Sequence, residues 1–227
     1  MIRHFKVARD TAVKARTQAM LTLKAIIVSV PAALREQLDT LTGKMALLRH
    51  LAALRPGRVA TTTTSAKTSL RAIARRWLGL DEEIKAHDAH LEQLTQQCAP
   101  TLVEAHGIKA NSAAEMLLLV GDNPERIHSE AALAKLCGAC PIPASSGKTS
   151  RHRLNRGGHR QANAALYRIV VVRMRHHQPT IDYVLRRIAE GKTKPEVIRC
   201  LKRFVVQEIF GHLCRSQTGT IPAEIAA

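Results

Sequence analysis

The segment from Leu70 to Cys98 reads LRAIARRWLGLDEEIKAHDAHLEQLTQQC. Its apolar residues recur at alternating intervals of three and four, and the series has one polar member, His87. The full series is Leu70, Ile73, Trp77, Leu80, Ile84, His87, Leu91, Leu94 and Cys98. A strict heptad repeat sustained over four heptads is typical of a coiled coil. The segment therefore predicts one long helix that pairs with a partner along its length.

A shorter apolar repeat precedes this segment. It predicts a helix that begins at Pro31, because proline suits the first helical turn. The two repeats could pair as an antiparallel hairpin, or the longer one could pair with its copy in another chain, and the sequence leaves both open. The members of the shorter repeat are Leu34, Leu38, Leu41, Met45 and Leu48.

The composition changes after Cys98, where glycines begin to separate short helical patterns. We expect helices at about 110–120, 129–137, 159–177, 180–190 and 194–214. The chain is therefore predicted to be all-α, with a helical and coiled-coil region at 1–98, a compact helical domain at 99–215 and a flexible tail at 216–227. Residues His106 to Lys109 resemble half of a helix-hairpin-helix, although Lys109 replaces the usual second glycine and His106 the usual proline.

The 227 residues carry a formal charge of +17, which favours a nucleic-acid partner. Residues 1–76 hold 15 basic and 3 acidic side chains, residues 77–140 hold 4 and 10, and residues 141–227 hold 16 and 5. Both flanks, but not the middle, could therefore contact phosphates. The six aromatic residues weaken the case for modules that stack bases on aromatic platforms.

The cysteines and the apolar runs bear on cellular location and on metal binding. The five cysteines are an odd number without framework spacing, no apolar run reaches membrane-spanning length, and no signal peptide is visible. We therefore expect a cytoplasmic protein without a membrane partner. Cys137 and Cys140 have zinc-like spacing, but no second pair completes four ligands, so no metal site is expected.

The densest basic stretch follows two adjacent serines in a long loop at 138–158. Arginine outnumbers lysine in it, and arginine is the better bidentate ligand for phosphate. A serine beside a glycine can present its hydroxyl, and the surrounding arginines could stabilise a pentacoordinate phosphate. From the residues alone, a Ser-Gly sequence such as Ser145, Ser146 and Gly147 is more often an ordinary loop than a catalytic one. The predicted nucleic-acid-binding residues are Lys148, Arg151, Arg153, Arg156, Arg160, Arg168, Arg173 and Arg175.

The residues around that loop resemble the C-terminal domain of insertion-sequence transposases of the IS 110 / IS 116 / IS 902 type, the family of the bridge-RNA-guided recombinases. The resemblance covers roughly residues 100–215. The heptad region is also similar to the helical segment that precedes this domain in the family. The residues that carry the resemblance are Gly121-Asp122, Ala131 to Pro141, Ser146-Gly147, Arg153, Gly158-His159-Arg160, Ala165-Leu166-Tyr167, Tyr183 to Arg187 and Leu201-Lys202-Arg203.

The resemblance implies a DNA recombinase that moves an insertion element. It implies that the serine before the glycine, Ser146, attacks the DNA backbone and forms a transient phosphoserine link, with the neighbouring Ser145 as the fallback. The family also carries a RuvC-like N-terminal domain whose four acidic residues hold Mg²⁺. The resemblance further implies DNA, possibly a guide (bridge) RNA, and a second copy of the chain, bound through the coiled coil, as partners.

The RuvC-like domain has no counterpart in this sequence, because Asp10, Glu36 and Asp39 are the only acids before residue 77. We therefore expect a truncated copy that holds no cofactor, with Mg²⁺ bound only when the acidic domain is supplied, and that does not complete recombination alone. The alternative is a non-catalytic nucleic-acid-binding remnant that assembles with intact transposase.

Overall fold

The computed structural model describes residues 1–121, 124–145, 147, 152–153 and 155–215. These ranges are almost entirely helical, which confirms the predicted all-α class. The predicted tail at 216–227 lies outside them. The chain forms two compact units, one of residues 4–90 and one of residues 91–227 with residues 1–3. In the described ranges, no helix combines the length and the apolar character needed to cross a membrane.

Ten α-helices and one small β-hairpin make up the described chain. Single turns of 3₁₀-helix at Pro124–Arg126 and of π-helix at Gly211–Arg215 complete it. The two strands are β1 (Ile142–Pro143) and β2 (His152–Arg153). The helices are α1 (Ile2–Ser29), α2 (Ala32–Asp39), α3 (Lys44–Ala53), α4 (Thr62–Cys98), α5 (Pro100–Glu104), α6 (Ala110–Val120), α7 (Glu130–Leu136), α8 (Arg160–His176), α9 (Gln178–Ala189) and α10 (Lys194–Phe210).

The heptad segment lies on α4, a single helix of 37 residues. The two apolar positions of each heptad differ in burial. Leu70, Trp77, Ile84 and Leu91 are buried, whereas the alternate residues Ile73, Leu80, His87 and Leu94 are half-buried. The chain thus covers one of the two heptad positions and leaves the other partly open, a pattern that the periodicity alone does not reveal.

In the unit of residues 4–90, α1 runs antiparallel to α4. Arg9 pairs with Asp88 at 2.6 Å and Arg16 pairs with Asp81 at 2.5 Å, so a step of seven residues forward on α1 matches a step of seven back on α4. The Phe5 ring stacks on His90 with its centroid 4.7 Å away. The long heptad helix therefore has a partner within the chain, and it is a helix that the sequence did not single out.

The helix predicted from Pro31 onward is two helices, which corrects that expectation. α2 ends at Asp39 and α3 begins at Lys44, after Gly43 adopts a φ of +96° that side chains rarely tolerate. Leu34, Leu38 and Leu48 nevertheless reach one core with Leu70 and Trp77. Of the other two members of the repeat, Leu41 is half-buried and Met45 is exposed, so the repeat predicted only part of the buried set. The break lies where a glycine lets the backbone change direction.

The second unit is built around α8, which packs against α6, α9 and α10. The buried side of α8 carries Ala162, Leu166, Ile169 and Val170. These join a core to which every helix from α5 to α10 contributes, with the ring of Tyr183 against its edge. The buried side of one helix therefore supports the elements that hold the predicted functional residues.

Candidate nucleic-acid interface

The long loop predicted at 138–158 is closed at its base by a contact between two glycines. A Cβ atom placed on Gly158 would lie 2.1 Å from the backbone nitrogen of Gly138, so the two backbones touch where no side chain fits. The backbone N–H of His159 donates to the Leu136 carbonyl at 2.7 Å. The side-chain amide of Asn163 donates to the Cys137 and Gly138 carbonyls at 2.8 and 3.1 Å. These bonds fasten both ends of the loop to the start of α8.

Above this base the loop forms an antiparallel hairpin that the sequence did not predict. Ile142 lies opposite Arg153, and Pro143 lies opposite His152. Ser145, two residues after β1, is exposed, and Gly147 has a φ of +57°. Ser146, Lys148 and Arg151 lie outside the described residues. Of the two predicted serines, the structure therefore describes Ser145 alone.

Five of the predicted nucleic-acid-binding arginines are exposed. Arg153 lies on β2 and Arg156 follows it. On α8, Arg160, Arg168 and Arg175 fall within about 80° of one another at about 100° per residue, so they share one outward face. A row of guanidinium groups on one exposed helix face can contact successive phosphates of a nucleic-acid backbone.

Arg173 does not belong to this row, which corrects the prediction that it contacts nucleic acid. Its side chain is buried, and its guanidinium forms a bidentate pair with Glu208 at 2.6 and 2.9 Å. Its Nε–H donates to the His106 carbonyl at 2.7 Å. Arg173 thus ties α8 to α10 and to the turn before α6. Its position on the core side of α8 follows from the helical period.

The turn that carries the helix-hairpin-helix resemblance joins α5 to α6. Gly107 has a φ of +79°, and a Cβ there would lie 3.3 Å from the Cγ atom of Arg173. The glycine is therefore needed for both the turn and the packing. A contact of this turn with DNA stays a prediction.

Burial raises the pKa of the Cys137 thiol to about 12, so this residue behaves as a small apolar core side chain.

A cavity of about 810 Å³ lies between the hairpin and α10, and we name it the basic groove. Its described lining contains six cationic side chains and one carboxylate, Glu196. Two of the cations also form ion pairs, Arg187 with Glu190 and Arg203 with Glu130. The charged lining residues are Arg153, Arg187, Lys192, Glu196, Arg199, Lys202 and Arg203.

Most of these cations are not among the residues predicted to bind nucleic acid, a set that ends at Arg175. They lie on the end of α9, the next turn and α10, where basic residues are mixed with Glu190 and Glu196 and so look like an ordinary solvated face. Only the packing of α10 against α7 and α8 brings them opposite the hairpin. Arg153 is the one residue shared by the predicted set and the basic groove.

Part of the chain matches a known protein family. Residues 99–185 match the family described as Transposase IS116/IS110/IS902 family. The matched segment is similar to this transposase family. No curated protein matches the chain. The matched segment contains the loop, the hairpin, α8 and most of α9, whereas α10 lies beyond it. The basic groove is therefore formed by the matched segment together with α10.

The glycine contact at the base of the loop predicts an asymmetric effect of two neighbouring substitutions. Gly158→Ala forces backbone atoms apart and should lower the free energy of unfolding by about 1–3 kcal/mol, as overpacking does. Gly157→Ala should change it by less than about 0.5 kcal/mol, because its nearest neighbour is a side-chain atom at 3.4 Å. Urea unfolding followed by circular dichroism measures both values. Equal stability of the two variants would contradict the closed loop base.

Proposed function

We propose that this chain is a DNA transposase component that binds DNA through the exposed arginines of β2 and α8, with the loop serines as its strand-cleaving nucleophiles. The observation that carries the proposal is the hairpin within the segment that matches the family. Ile142 pairs with Arg153 in it, and Ser145, Arg153 and Arg156 are all exposed. Ser146 is the proposed nucleophile and Ser145 is the fallback.

The chemistry of this proposal is a phosphoryl transfer. The serine Oγ attacks a backbone phosphorus, a phosphoserine bond forms, and one phosphorus–oxygen bond of the strand breaks to release a terminal hydroxyl. The serine proton leaves as the released oxygen gains one. Guanidinium groups stabilise the charge of the pentacoordinate phosphate, which is the role we propose for the arginines beside the tip.

A serine hydroxyl is a weak nucleophile until a base or a metal ion activates it. In the described ranges, no three His, Cys, Asp or Glu side chains are grouped so that they could hold a metal ion. These residues therefore do not fit the Mg²⁺ site that the resemblance implies, and we assign no step of the reaction to a metal held by them. We propose instead that a separate acidic domain supplies it.

A second candidate function is a non-catalytic nucleic-acid-binding protein that assembles with an intact transposase. The half-buried heptad residues favour it, because Ile73, Leu80 and Leu94 on α4 retain apolar surface that a second helix could cover. This candidate shares the cationic surfaces with the first and differs only in the role of the serines.

The serine proposal predicts a covalent product. With a RuvC-like acidic domain, Mg²⁺ and labelled DNA present, the chain should form a protein–DNA adduct that survives a denaturing gel. Ser146→Ala should abolish the adduct while leaving DNA binding within about twofold, and Ser145→Ala should retain it. Loss of the adduct only in Ser145→Ala would move the nucleophile to the fallback. A full adduct in both single variants and in the double variant would rule out the serine mechanism.

The arginine row predicts a change in the salt dependence of DNA binding. Each phosphate contact contributes about 0.9 to the slope of log K against log salt. Replacing Arg160, Arg168 and Arg175 together by glutamine should therefore reduce the slope by about 2.7. Lys135→Gln is the control, because Lys135 is exposed on α7 within the acidic segment. Fluorescence anisotropy titrations from 50 to about 300 mM salt measure the slopes. An unchanged slope in the triple variant would show that this face does not contact DNA.

A further inference from the structure

The basic groove has the features of a binding site rather than of a plain charged surface. It is a cavity between two walls, with the hairpin and residues 138–141 on one side and α9 and α10 on the other. Cationic groups converge on it from both walls, since Arg153 lies on the hairpin and Arg199 on α10. Such convergence of one sign of charge within a cavity favours an anionic ligand.

Lys202 is the cation best suited to an anion in this groove. Its ammonium group donates to the side-chain oxygen of Asn163 at 2.7 Å, and no carboxylate pairs with it among the described residues. Burial lowers the pKa of Lys202, because its charge is poorly solvated. A phosphate beside the ammonium would restore the lost solvation. The lysine is also fixed in place, because Asn163 holds the loop base through its amide.

Aromatic rings lie beside these cations. Tyr183 and Phe204 both line the groove and meet edge to face with centroids 5.5 Å apart, and Phe204 is 50% exposed. A third ring, that of Tyr167, lies 5.3 Å from the Lys202 ammonium. The fold thus gathers three of the six aromatic residues of the chain at one site. An exposed phenyl ring next to phosphate-binding cations offers a surface on which a base can stack.

The size of the groove limits what can enter. Its volume of about 810 Å³ falls in the range of pockets that enclose small ligands. Duplex DNA is read on open surfaces of roughly 1,000 Å² or more, because the helix itself does not enter a protein cavity. One or two nucleotides of an unpaired strand, in contrast, present the flat bases and the accessible phosphates that the rings and cations of the groove can contact.

We propose that the basic groove binds an unpaired nucleic-acid strand, with its phosphates on Arg153, Arg199 and Lys202 and a base against Phe204. This inference rests on the proposed function, since it assigns the groove to the strand while the outward face of α8 holds the duplex. A displaced DNA strand and a single-stranded RNA share the chemistry that the groove recognises, and the experiment separates them.

The test compares the binding of three probes to the full chain by fluorescence anisotropy. The probes are a 12-residue oligothymidylate, an oligouridylate of the same length, and a duplex of the same length. Phe204→Leu should weaken binding of the single strand about tenfold, within the range for loss of one stacked base, and that of the duplex by less than twofold. Lys202→Gln should give the same pattern. Lys194→Gln, an exposed lysine at the start of α10 outside the groove lining, is the matched control and should change neither.

The outcomes distinguish this inference from the function on which it rests. Selective loss of oligothymidylate binding identifies DNA as the groove ligand, and selective loss of oligouridylate binding identifies RNA. If both groove variants bind the single strands as the unsubstituted chain does, or lose single-strand and duplex binding equally, the inference is wrong while DNA binding stands. If the unsubstituted chain binds none of the probes, the proposed function fails as well. Circular dichroism of both variants verifies that each substitution leaves the helices intact.

Discussion

The backbone contact between Gly138 and Gly158 is the constraint on which the functional part of this structure depends. Two chain segments 20 residues apart approach so closely that Gly158 has no room for a Cβ atom, and a Cβ on Gly138 would lie only 3.3 Å from the Gly158 Cα. Asn163 and the His159 N–H then fasten both segments to the first turn of α8. A loop of this length would otherwise be free to sample many conformations. Fixing the two ends of the loop reduces the number of conformations that the remaining loop residues can adopt.

Helix α8 contributes residues to two separate surfaces, because different residues lie on its different sides. The outward side of α8 presents Arg160, Arg168 and Arg175, and the side toward α10 presents Asn163 and Tyr167 beside Lys202. The remaining side is buried, with Arg173 held by Glu208 in the core. Residues close together in sequence therefore lie on separate surfaces, and the packing of α8 holds the arginine row and the basic groove in fixed positions relative to each other.

Regular periodicity made the helices predictable, since the expected segments from 110 to 214 agree with α6 to α10 within a few residues. The same periodicity could have placed Arg173 on the core side with Leu166 and Ile169, but counting charges without the helical period did not separate it from Arg175. The partner of α4 was missed because α1 has a weak apolar repeat and pairs through ion pairs such as Arg16–Asp81.

The basic groove could not have been predicted from local sequence, because its walls come from segments about 30 to 65 residues apart and meet only through packing around α8. Composition was also misleading about aromatic residues. Six rings in 227 residues argued against base stacking, yet the fold places Tyr167, Tyr183 and Phe204 together. The number of aromatic residues does not determine their distribution in space.

Photo-crosslinking of the full chain to a partly single-stranded DNA would test most directly whether the hairpin and the groove form one nucleic-acid site. The unpaired end would carry 5-iodouracil, and mass spectrometry would locate the adducts. The account predicts adducts on the peptides that contain Arg153 and Phe204, with the same preference when competitor duplex is present. Adducts confined to residues outside 138–204 would contradict it.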